Sequence, residues 1–153
     1  MYDVLVYLFQ HYSTPQLFPE TDDLHDTLTE AGFDEDDVEQ ALDWLVGLAS
    51  ATQNIQLIAH ASEGSTRIYA EVERRQLGDE AIAFIQHLEN NDALYAPHRE
   101  LIIERALAVA ESPIPLSKLR IITLMVLWSQ EVEFDALVFD ELMSDDDSPR
   151  LPN

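Results

Sequence analysis

Apolar residues recur along most of this chain every three or four positions, the repeat of helices with one face in a core. Val4, Leu5, Leu8, Phe9 and Tyr12 share one side of a first helix over Asp3 to Tyr12, which Ser13-Thr14-Pro15 ends. A second helix is expected from Thr21, read as its N-cap, with a narrow stripe of Leu24, Leu28 and Ala31. A third buries Val38, Ala41, Leu42, Leu45, Leu48 and Ala49, with Trp44 at the margin and so half-buried. Then the period changes. Ser50 to Asn54 reads as loop, Ile55 to Ala59 as a short strand, Ser62 to Ser65 as a turn and Thr66 to Tyr69 as a second strand.

Helical spacing returns with a short segment from Glu71 to Leu77, broken by Gly78. Asp79 is read as the cap of a helix to about Asn90, with Ala81, Phe84, Ile85 and Leu88 inward. Pro97 opens another, which buries Ile102, Ile103, Ala106, Val109 and Ala110. Leu116 to Ser129 is apolar almost all round, as expected of a helix in the middle of a bundle. Phe134, Leu137, Val138 and Leu142 mark a last helix, and 144–153 reads as a disordered acidic tail. The expected fold is therefore mainly α, a compact multi-helix bundle, with one small β-hairpin near residues 55–69. Residues 1–143 read as a single helical domain. Sub-units 1–50 and 79–143 can be drawn within it, linked by 51–78.

The corner Gly32-Phe33-Asp34 can be argued position by position. Gly32 suits the left-handed residue just past a helix end, where a Cβ is costly. Phe33 then falls where it can pack back on Leu28 and forward on Val38. Asp34 is a good N-cap, and Glu35, Asp36 and Asp37 put negative charge where the helix dipole favours it.

Charge changes the picture more than composition does. Eight Lys and Arg against thirty Asp and Glu give a net charge of −22, and no Lys or Arg precedes Arg67. A protein that grips a phosphate backbone needs the opposite sign, so direct nucleic-acid binding is not expected. The acidity fits either a basic partner surface or simple solubility and salt adaptation. The absence of Cys excludes disulfides and thiolate metal sites. No basic leader opens the chain, and the apolar run from Ile121 to Trp128 is far shorter than the roughly 20 residues that span a bilayer. A cytoplasmic location and no membrane partner are expected.

Several stretches carry a family resemblance: MYDVLVYLF at the start, LTEAGFDEDDVEQALDWL, RIY at Arg67 to Tyr69, LIIERALAV at Leu101 to Val109, and LRIITLMVLW at Leu119 to Trp128. In order and over nearly the whole chain, these resemble the bacterial Smg family, small proteins of unknown function. The resemblance implies a mostly helical, cytoplasmic bacterial protein and carries no catalytic residues with it. Family members often have Thr after the RIY segment; Ala70 stands here, which weakens the expectation of a helix at Glu71. Gly32-Phe33 followed by Ala41-Leu42 also resembles ubiquitin-associated three-helix modules, although any tight helical corner needs the same chemistry.

Recognised catalytic patterns are missing: there is no glycine-rich phosphate loop, no nucleophile elbow and no HExxH. His25 lies between Asp22 and Asp26, and His98 stands beside Arg99 and Glu100, but each is read as a surface or capping histidine. Asp34, Asp36 and Asp37 lack the glycine and distal glutamate of a calcium loop. No metal, cofactor or catalytic residue is therefore expected. Arg67, Arg74 and Arg75, joined by Arg99, Arg105 and Arg120, form a candidate basic patch; the alternative is dispersed pairing with nearby glutamates.

These observations favour a non-enzymatic protein-binding or regulatory protein whose partner is another protein. Two alternatives stay open. Three helices and a hairpin is the order of a winged helix acting with nucleic acid or a nucleic-acid-binding protein. An unrecognised enzyme using a carboxylate or His site would need a deep pocket holding a perturbed titratable group.

Overall fold

A computed structural model of the chain describes residues 1–12, 18–61, 69–91, 94–109 and 113–130, with the backbone alone for 54–61. Among them are seven helices: α1 (Tyr2–His11), α2 (Thr21–Glu30), α3 (Glu35–Ala61), α4 (Glu71–Leu77), α5 (Asp79–Asn90), α6 (Ala96–Leu107) and α7 (Leu116–Ser129). No strand occurs among the described residues. The fold is an all-helical bundle.

The α2–α3 corner shows how sequence becomes geometry here. Gly32 has φ +103, which only glycine adopts without strain. Its N–H donates to Thr29 O at 3.1 Å, and the Phe33 N–H donates to Leu28 O at 3.4 Å. This pair of bonds satisfies two carbonyls left over at the end of α2. The Val38 N–H donates to Asp34 O at 3.0 Å, which puts Asp34 at the cap position ahead of Glu35. Phe33 is half-buried, and its ring meets Tyr7 of α1 edge-on, with centroids 5.3 Å apart. The corner therefore also touches α1.

Helix starts depart from expectation in small ways. Thr21 is the first helical residue of α2, after Glu20, and not its cap. Asp79 is likewise the first residue of α5, because Gly78 (φ +85) is the joint. α4 forms although Ala70 offers no side-chain acceptor. The Glu73 carboxylate accepts the Ala70 N–H at 2.8 Å and orders the start from inside the helix.

The largest correction concerns residues 50–61. The expected loop at Ser50–Asn54 and strand at Ile55–Ala59 are both helix, continuous with α3. The second strand, Thr66–Tyr69, lies outside the described residues except for its last residue. The last helix and the tail lie outside them as well.

α7 occupies the middle. Leu119, Ile122, Leu124, Met125, Val126 and Leu127 are fully enclosed, and α7 packs on α1, α5 and α6. Each such side chain stabilises the fold by about 1.5–3 kcal/mol through removal from water. Its one buried hydroxyl, on Thr123, donates to Leu119 O at 2.9 Å and so is satisfied. α3 lies chiefly on α6, and α2 covers α3. Its buried stripe is Val38, Ala41, Trp44, Leu48 and Ala51. Trp44 is thus fully inside and not marginal. Leu42 and Leu45 are only partly covered, and Ala49 is exposed; Ala31 on α2 is exposed as well.

Candidate functional sites: an apolar groove and a cationic recess

The apolar positions of α3 that do not reach the core line a groove. Leu42, Leu45, Val46 and Ala49 form one wall, Phe18 and Leu24 another, and Trp128 closes the floor at the end of α7. The groove has a volume of about 510 Å³. Phe18 is held by an edge contact with Tyr12 at 5.1 Å and a tilted ring contact with Trp128 at 5.6 Å. Val46 is 62% exposed and continues the apolar wall outward. The rim is polar and uncharged: Thr52, Gln53, Ser129 and Gln130. Gln130 Nε2 reaches Thr52 Oγ1 at 3.4 Å, so the end of α7 is tied to α3 at the groove.

The second hollow, about 610 Å³, lies where the starts of α1 and α7 meet α3 and the end of α6. Tyr2, Trp44, Asp43, Arg105 and Lys118 line it. Arg105 is 7% exposed yet charged, and its partners explain how that is tolerated. The Nη1 group donates to Trp44 O at 3.0 Å, and Trp44 Nε1 donates back to Arg105 O at 3.4 Å. Nε and Nη2 donate to the two oxygens of Glu104, a bidentate pair. The guanidinium also lies 5.7 Å from the Trp44 ring centroid. Gly47 makes room for it: a Cβ at that position would stand 2.2 Å from Arg105 Nη1.

The candidate basic patch does not assemble from its expected members. Arg67 lies outside the described residues. Arg75 pairs with Glu71 one turn earlier, and Arg74 Nε donates to Tyr69 O at 3.3 Å. Arg99, 4% exposed, pairs with Glu89 at 3.0 Å, and buried Arg120 stands 6.0 Å from the Phe84 ring. Arg105 and Lys118 are brought together instead. The sequence signal for that pairing was only the scarcity of cations.

The histidines also fall differently. His25 faces Glu35 and Glu39 across the corner, with one ligand atom from each within 4.8 Å of the others. The expected neighbour Asp26 lies 4.0 Å away. All three members of this trio are at least partly open to solvent. His98, half-buried at the start of α6, is held below the ordinary imidazole pKa by burial.

The fold and these hollows define a small, strongly acidic, all-helical protein; among the described residues, no helix is long and apolar enough to cross a bilayer. Residues 1–151 match a family model described as "Protein of unknown function (DUF494)". Curated relatives named "Protein Smg homolog" match at full length. The protein from Bordetella pertussis is 52% identical over 151 residues, 99% of both chains. That from Herminiimonas arsenicoxydans is 46% identical over 156 residues, again 99% of both. That from Azoarcus is 39% identical over 152 residues, 99% of this chain and 98% of the relative. The chain belongs to the bacterial Smg family. No solved structure matches it.

Proposed function

We propose that the chain is a non-enzymatic binding protein that seats an amphipathic helix of a partner protein in the groove between α3 and the end of α7. The observation that supports this is the apolar wall Leu42, Leu45, Val46 and Ala49, left open on a helix whose other side is fully packed. A partner helix would offer apolar anchors at i, i+3 or i+4, and i+7. Its flanks would be basic. Exposed Glu20, Asp22 and Asp23 adjoin the Phe18–Thr21 wall, the whole chain carries −22, and no Lys or Arg occurs before residue 67.

The hairpin order that pointed to a winged helix has lost its first strand to α3. That removes the motive for the nucleic-acid reading.

The test is a pull-down at physiological salt with the wild type and Val46→Asp. A charge in the groove wall should remove a specific partner that the wild type retains. Absence of a specific partner, or a partner indifferent to Val46→Asp, overturns the proposal. The chain's own residues 131–153, which begin beside the groove at Gln130, are the competing occupant. If deleting them shifts the groove resonances in an NMR spectrum of the protein alone, the groove is filled from within and the proposal fails.

A further inference from the structure

The recess at Lys118 is independent of the groove and differs from it in chemistry. Only eight Lys and Arg occur in the chain, and two of them, including its single Lys, line this one hollow. Arg105 is fixed there by the clasp with Trp44 and the notch at Gly47. Three of its five N–H donors are engaged, by Trp44 O and the Glu104 carboxylate. Lys118 is placed against local preference. It lies in the first turn of α7, which carries no acidic residue, at the helix end where a positive side chain is disfavoured. Its ammonium stands 4.7 Å from the Tyr2 ring centroid, and among the described residues no carboxylate lies within ion-pair distance of it. A cation held only against an aromatic ring, with no carboxylate partner among the described residues, is available to a ligand.

The walls say more about that ligand. Tyr2 and Trp44, 8% and 5% exposed, add apolar ring surface to its wall, with Lys118 and Arg105 already against the rings. Asp43 also lines the recess and is exposed, so a second negative charge on the ligand would meet repulsion. We propose that the recess binds a small aromatic carboxylate, a monoanion whose carboxylate meets the Lys118 ammonium and whose ring lies against Tyr2 and Trp44.

Trp44 reports on the site once the second tryptophan is removed, so the experiment uses Trp128→Phe as background. Benzoate is titrated against its intrinsic fluorescence, with benzamide as the neutral control. Benzoate should produce a saturable change, and benzamide should bind at least ~10-fold more weakly, the effect of losing one charge-assisted hydrogen bond. Lys118→Gln should weaken benzoate by a similar factor. Asp43→Asn should tighten it, an outcome that a misfolded variant would not give. Arg74→Gln, on α4 and outside the recess, should leave the curve unchanged. Equal binding of benzoate and benzamide, no effect of Lys118→Gln, or no saturation at all overturns the proposal.

Discussion

The two sides of α3 have nearly the same composition and opposite fates. Val38, Ala41, Trp44 and Leu48 seal against the rest of the bundle; Leu42, Leu45, Val46 and Ala49, one residue around the helix, remain open or half-open. Periodicity alone assigned six apolar residues to a single stripe, because a helical wheel shows which residues face together but not how wide the covering partner is. α6, α2 and α1 cover only part of that arc. The remainder is surface with the composition of a core, the wall on which the proposed partner helix would lie.

The sharpest way to break this contrast is truncation on each side. Leu48→Ala, on the sealed side, should cost about 2–5 kcal/mol and lower the thermal midpoint markedly. Val46→Ser, on the open side, should stay within about 0.5 kcal/mol of wild type. Chemical denaturation of both reads the difference directly, and equal losses would mean the groove is closed in solution. Next in size is the corner that positions α3. Gly32→Val should cost about 1–3 kcal/mol from backbone strain alone, since a Cβ there meets nothing within 4 Å. Gly78→Ala adds a real clash, with Pro113 Cβ at 2.9 Å, and should cost at least as much by the same assay.

Weaker effects come from charge. Raising salt should raise the melting temperature by screening repulsion at a net −22. His98 gives a small pH dependence. Its folded pKa lies below the ordinary 6.5, so the unfolded chain binds the proton more tightly. Stability should be full above about 6.5 and decline as pH falls below it. His98→Gln should flatten that slope in pH-dependent melts.

What could be read in advance follows from range. The Gly32–Phe33–Asp34 corner depends on neighbours within six positions, and α7 betrays its enclosure because it is apolar on every side. Ser50 to Ala59 misled for a physical reason. Polar Ser50, Thr52 and Asn54 and β-branched Ile55 and Ile58 favour loop and strand locally, yet α3 runs on, with Thr52 Oγ1 donating to Leu48 O at 2.8 Å. The recess was illegible because Tyr2, Trp44, Arg105 and Lys118 are far apart in the chain and only packing makes them neighbours.

The missing side chain at position 47 has a consequence for assembly. Helices that meet along smooth apolar ridges can slip by a turn with little penalty. Here a buried cation on one rod must drop into the single notch on the other. The neighbouring turns offer Asp43 and Ala51, which both carry a Cβ. Sliding α3 along α6 in either direction would break the guanidinium's bond to Trp44 O and set a Cβ where it now lies, so glycine acts as the key that fixes how far one rod is pushed past the other.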